Sequence, residues 1–255
     1  MKIFNTACPR NCYSTCSFKV VVEENIIKKI EPQPLNKATP EGPCLKGLSY
    51  IERAHSKDRI LFPLQKLKGE FIRISWDEAL RIIANRLTEY KLTFGSQSVL
   101  FYSASGMSGL LNEVSNNFWN LYGGVTKVYG NLCWPAGLEA TRLTLGENKH
   151  NNPEDLENAE LIILWGKNPA ESNIHQMVFI EKAQRNGAKL IVIDPRRTPS
   201  TERADMFLQP IPGTDAIMAL AVAKIIVENN QQDQAFINKY VHGFEEYKIS
   251  LTAIT

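Results

Sequence analysis

Four of the five cysteines in this 255-residue chain fall within its first 44 positions, at Cys8, Cys12, Cys16 and Cys44. The first three form a C-x3-C-x3-C run, Cys-Pro-Arg-Asn-Cys-Tyr-Ser-Thr-Cys, so three thiolates can converge on one small object from a single loop. The fourth has to be carried back by the intervening chain. Residues 18–30, Phe-Lys-Val-Val-Val-Glu-Glu-Asn-Ile-Ile-Lys-Lys-Ile, predict two short β-branched strands turning at Glu24-Asn25. The Pro-rich stretch 32–43 then leads as irregular loop into Cys44.

Three chemistries compete for such a set. Disulfides are disfavoured by a cytoplasmic setting, expected because residues 1–8 carry neither a basic n-region nor an apolar h-region. Structural zinc usually takes paired C-x2–4-C knuckles, whereas here three cysteines cluster and one stands apart. A cubane iron–sulfur cluster commonly takes three close thiolates and one remote, and the spacing favours it. Composition adds limits rather than identity. With 44% hydrophobic and 22% charged residues, the chain reads as a soluble globular protein of one large domain or two smaller ones. A net charge of +2 gives no basic footprint for nucleic acid. No apolar run approaches the ~20 residues of a membrane-spanning helix.

From Ser75 onward, helical and strand patterns alternate. Ser75-Trp-Asp-Glu78 is a capping box whose helix runs to Gly95. Strands are expected at 98–102, 125–129, 161–165 and 189–194, and helices at 110–122, 137–145, 174–185 and 215–228. This order predicts an α/β fold: a small N-terminal β-rich part, then a Rossmann-like domain with a mostly parallel sheet covered on both faces. Ligands of such sheets bind beyond the carboxyl ends of the strands. There the turn Gly166-Lys-Asn168-Pro169 lets the backbone approach a phosphate, and Asp194 can accept from a ribose. The G-x-G-x-x-G fingerprint is missing, and from the residues alone a strand-end turn before Pro195 explains Asp194 better.

The block at 8–16, followed by Gly42-Pro-Cys44-Leu-Lys-Gly47, resembles the N-terminus of the molybdopterin oxidoreductases of the dimethyl-sulfoxide-reductase and formate-dehydrogenase superfamily. The resemblance continues through Asp58-Arg-Ile-Leu-Phe-Pro63, Gly69-Glu-Phe-Ile-Arg-Ile-Ser-Trp-Asp-Glu-Ala-Leu80, Trp165-Gly-Lys-Asn-Pro-Ala-Glu171 and Pro212-Gly-Thr-Asp215. It therefore covers nearly the whole chain.

The resemblance implies a 4Fe-4S cluster on Cys8, Cys12, Cys16 and Cys44 in a domain at 1–60. Residues 61–255 then form part of the fold that binds bis-molybdopterin guanine dinucleotide with Mo or W. It implies that Lys46 lies between cluster and pterin, although an isolated lysine reads as surface. It implies nucleotide contacts at Gly166, Asn168, Pro169, Asp194, Arg196, Gly213 and Asp215, the last of which could instead cap the following helix. Cys133, in Gly130-Asn-Leu-Cys133-Trp-Pro, is the candidate ligand to the metal, against the common reading of a lone cysteine as a small buried apolar residue. His150 and His175 are candidate pocket residues, against the more ordinary reading of each as a surface or core histidine. The implied reaction is two-electron chemistry on a small-molecule substrate, with electrons relayed to a partner subunit. A truncated or stand-alone electron-transfer module and a non-redox, tungsten hydratase-like enzyme are the alternatives. Family members are considerably longer than this chain.

Overall fold

The computed structural model describes residues 1–254 apart from 34–35, 105, 107–108 and 131–132, with the side chains of residues 110 and 112 also set aside. It divides into two compact units, residues 1–155 with 173–179, and residues 156–172 with 180–255.

The first unit opens with an antiparallel sheet of order β1 (Lys2–Ala7), β2 (Ser17–Glu23) and β3 (Ile26–Pro32). The β2–β3 turn lies at Glu24-Asn25, both left-handed (φ 50° and 63°), as a two-residue hairpin loop requires. Cys16, Phe18, Val20 and Ile30 are its buried core, with Tyr50 and Ile51 packed against it. Two short helices follow, α1 (Leu45–Leu48) and α2 (Tyr50–Ala54), then a hairpin of β4 (Leu64–Leu67) and β5 (Glu70–Arg73). Helix α3 (Trp76–Phe94) starts where the capping box predicts, the Ser75 hydroxyl accepting from the Glu78 N–H at 3.1 Å, and stops at Gly95.

Beyond α3 the expected strands shrink. Residues 98–102 were expected as a buried strand, but only β6 (Leu100–Phe101) forms, and Leu100 is 58% exposed. Its parallel partner β7 (Thr126–Lys127) is equally short, because Thr and Lys occupy the paired positions and offer little apolar surface to bury. The helix expected from 110 begins as a 3-10 turn and becomes α4 (Val114–Tyr122), closed by left-handed Gly123. Helix α5 (Trp134–Leu145) starts three residues earlier than expected, since Pro135 occupies its first turn, where a missing N–H costs nothing.

The second unit holds a parallel sheet of order β10-β9-β8: β8 (Leu161–Trp165), β9 (Lys189–Ile193) and β10 (Met206–Leu208). Between β8 and β9 come α6 (Pro169–Ser172) and α7 (Ile174–Arg185), the latter passing from the first unit's residues into the second's at position 180. Helices α8 (Asp215–Glu228), α9 (Gln234–Tyr240) and α10 (Phe244–Leu251) complete it. Ile180, Leu190 and Val192 are fully buried. The expectation of a sheet covered on both faces is corrected at β8, where Ile162 and Leu164 are buried but Leu161 and Ile163 are each about half exposed. An all-apolar strand has two faces, and here the described residues bury one. Among the described residues no helix is long and apolar enough to cross a membrane.

Candidate functional site

The C-x3-C-x3-C run is the connection between β1 and β2. Strand pairing fixes its two ends, Ala7 opposite Ser17, and the Cys8 N–H donates to the Cys16 carbonyl at 2.8 Å. Inside this closed loop Thr15 adopts a left-handed φ of 41°, its N–H bonded to the Cys12 carbonyl. Asn36 ties the loop from outside, its amide donating to the carbonyls of Ser14 and Thr15 at 2.7 and 2.8 Å. Cys44 precedes α1, and its carbonyl accepts from the Gly47 and Leu48 N–H groups. Gly47 lets α1 lie on the sheet, since a Cβ there would stand 2.9 Å from the Phe18 ring.

The four thiols gather around one locus. None is in a disulfide, Cys16 is buried, and Cys8, Cys12 and Cys44 are half-buried. Burial pushes the Cys16 thiol up to about 11, with the neighbouring Cys8, Cys44 and Cys12 adding to the rise and a hydrogen bond from the Cys44 backbone opposing it. Cys8 is raised for the same first reason, against a backbone hydrogen bond from Arg10. Among the described residues, no three His, Cys, Asp or Glu side chains close on a position for a single metal ion. Buried sulfurs that feel one another's charge and accept backbone N–H groups suit a multi-iron cluster better than a point ion.

A segment distant in sequence completes this environment. Ser14 donates to Asn173 Oδ1 at 2.5 Å, Cys12 Sγ lies 4.0 Å from the same oxygen, and His175 Nε2 lies 3.2 Å from Cys16 Sγ. Ser14, Asn173 and His175 are all buried. Burial lowers the His175 pKa, with Glu41 opposing and Lys46 reinforcing the fall, so the Lys46 ammonium is close enough to act on this ring. Sequence reasoning named His175 only as a candidate pocket residue and missed Ser14, Asn36 and Asn173, which no spacing signal would have found.

Cys133 is exposed and occupies the N-cap position of α5. The next residue, Trp134, packs on Tyr13 of the cysteine loop, ring centroids 5.8 Å apart, and Asn11 in the same loop donates to the Gly106 carbonyl. Residues 131–132 lie outside the described residues.

In the second unit, the expected nucleotide residues gather beyond the carboxyl ends of β8 and β9. Gly166 turns at φ 59° with open space where a Cβ would be, while its N–H donates to the Ile193 carbonyl at 2.8 Å. Asn168 accepts from Ser200 Oγ at 2.6 Å and donates to Glu171, and Arg196 reaches the same Glu171 carboxylate at 3.4 Å. Pro169 is fully buried beneath this network. Asp194 accepts from the Arg196 N–H at 2.9 Å, the turn geometry expected of a strand-end aspartate. Gly213 is left-handed, and Asp215 is the first residue of α8 rather than its cap, its carboxylate taking the Trp165 indole N–H at 2.7 Å. The arrangement offers an open glycine turn, the Arg196 guanidinium and three carboxylates, Glu171, Asp194 and Asp215, at one sheet end.

Two family models match the chain in succession, and their junction between residues 56 and 59 lies well before the boundary of the two compact units. The family described as molybdopterin oxidoreductase matches residues 59–251, and its Fe4S4 domain matches residues 1–56. The probable oxidoreductase YyaE of Bacillus subtilis is 34% identical over all of this chain, which covers 38% of that protein. Escherichia coli dimethyl sulfoxide reductase DmsA is 30% identical over 99% of the chain and 34% of its own length. The B. subtilis assimilatory nitrate reductase catalytic subunit is 34% identical over 97% and 36%. Acetylene hydratase from Pelobacter acetylenicus superposes with a TM-score of 0.78 at 27% identity, over 98% of this chain and 35% of that one. The chain thus spans little more than a third of the relatives it matches. Its paired matches, Fe4S4 domain first and the larger domain after it, make it a member of the molybdopterin oxidoreductase family.

Proposed function

We propose that this chain holds a 4Fe-4S cluster on Cys8, Cys12, Cys16 and Cys44, in a cluster domain of residues 1–60. Residues 61–255 then supply one part of a cradle for bis-molybdopterin guanine dinucleotide carrying Mo or W. The gathering of four unpaired thiols between β1, β2 and α1 carries this reading. Iron binding has to displace the protons that burial retains on Cys8 and Cys16, so loading releases protons and is favoured as pH rises. Lys46, two residues past Cys44, sets a cation beside the thiols, which favours an electron on the cluster. Cys133 is assigned as thiolate ligand to Mo or W, on the side of the unit where Trp134 meets the cysteine loop.

For the dinucleotide, Gly166 and Gly213 leave the backbone open to phosphate, and Asn168 and buried Pro169 fix the turn from Gly166 into α6. Arg196 would pair with a phosphate, Asp194, which accepts from the Arg196 N–H, would accept from a ribose, and Asp215, oriented by Trp165, would accept from guanine. When bound, the pterin-held metal supplies the two-electron chemistry. The substrate is a small molecule, and an electron-transfer subunit is the partner. Thiols held outside disulfides at Cys8, Cys12, Cys16 and Cys44 suit a reducing, cytoplasmic compartment.

Metal analysis of purified protein tests this. Iron near four per chain with Mo or W in equal amount supports the full reading; iron alone supports an electron-transfer module, and zinc instead of iron defeats both. The likeness to acetylene hydratase favours a second, non-redox reading. A full-length enzyme that turns over with neither electron donor nor acceptor would select it.

A further inference from the structure

Resting on the cluster reading, we propose that His175 is a positioning residue for the iron–sulfur cluster. Its Nε2–H donates to Cys16 Sγ and thereby raises the cluster's reduction potential. The pair is 3.2 Å apart and both residues are buried, Cys16 at 5% exposure and His175 at 5%. A thiolate bound to iron has no proton to give, so the only hydrogen bond open to the pair is from imidazole N–H to sulfur. Such a bond draws negative charge off the sulfur and stabilises the reduced, more negative cluster.

The geometry is held from the backbone outward. Ser14, two residues before Cys16, donates to Asn173 at 2.5 Å, and the Asn173 carbonyl accepts from the Gln176 N–H, which fixes the segment that carries the ring. His175 therefore reaches the cluster loop from 159 positions away, on a segment counted with that loop's own unit. A histidine kept only for packing has no need to aim a ring nitrogen at a sulfur.

The test is redox titration of the cluster-loaded full chain, followed by EPR, for the wild type, His175→Leu and His175→Gln. His175→Leu is expected to shift the midpoint to a more negative potential. His175→Gln, whose amide N–H reaches a similar point, is expected to stay near the wild type. An unchanged potential in His175→Leu overturns the proposal, and an equal displacement in both variants marks a packing role and overturns it too. Should His175→Leu hold no cluster, wild-type protein with 15N-labelled histidine decides. Pulsed EPR of its reduced cluster should show weak coupling to one imidazole nitrogen, and absence of that coupling, or coupling strong enough for direct ligation, rejects the assignment. Wild-type protein that binds no iron overturns the cluster reading itself, an outcome that iron content separates from the others.

Discussion

The antiparallel sheet β1–β2–β3 and the parallel sheet β8–β9–β10 each have three strands, yet they prepare sites in opposite ways. In the first, the site is made of side chains, four sulfurs on a loop between neighbouring strands and at the start of α1. In the second it is made by backbone, a left-handed glycine turn and helix starts that follow strands brought together from distant sequence. The sulfur site has a modest core beneath it, Cys16, Phe18, Val20 and Ile30, of which one residue is itself a ligand candidate. The glycine site stands on fully buried Ile180, Leu190 and Val192. On the cluster reading, the first region depends on its metal for stability, whereas the second, with an independent core, does not.

The contrast can be broken most sharply at Cys44. Cys44→Ser should abolish the broad iron–sulfur absorbance and most bound iron, whereas Cys133→Ser should leave both intact; absorbance that survives in Cys44→Ser removes Cys44 from the ligand set. Next in size, Leu190→Ala empties a fully buried position in the second unit and should cost about 2–5 kcal/mol in denaturant unfolding. Iron per folded chain should not change in this variant. Loss of iron in step with stability would show that the two regions are not energetically separate.

Gly47→Ala tests the first region without touching a ligand. The new methyl meets Phe18 at 2.9 Å, and overpacking of this kind costs about 1–3 kcal/mol. Because α1 carries Cys44 at its start, iron affinity should fall together with thermal stability. The smallest effect belongs to Asp205 in the second unit. A hydrogen bond from Lys189, then the Leu190 N–H, hold its carboxyl below the usual range. A lowered folded pKa contributes stability that is complete above the unfolded value and lost as pH falls through the folded one. The Tm difference between the wild type and Asp205→Asn should therefore be greatest near neutrality and vanish in acid.

Legibility followed how local the determining physics is. Helix α3 could be read because its cap is written into Ser75 and Glu78, and β8, α7 and α8 because their patterns and punctuation lie within themselves. Strand β1 was missed: Lys-Ile-Phe-Asn-Thr-Ala is exposed throughout, so it carries no alternation, and it exists by pairing with β2. The hairpin β4–β5 hid for the same reason, with only Gln65 half-buried. At the site, the cysteines announce themselves by spacing, and Gly166 by its place after a strand. His175 and Asn173 do not, because what they do depends on partners 159 positions away. The Trp165 partner of Asp215, 50 positions earlier, was equally out of reach of local pattern.

That separation has a consequence for how the protein is made. Cys8, Cys12, Cys16 and Cys44 are all made before the buried segment that covers Cys16, which follows Cys16 only after some 159 further residues. At about 5–20 residues per second, the sulfurs wait roughly 8–30 s for their cover. During that interval they are open both to oxidants and to whatever delivers iron. Once Asn173 and His175 have docked, the same loop is closed on that side. On the cluster reading, the order of synthesis sets a window for insertion, and a chain stalled before residue 173 would display its cysteines with that side bare.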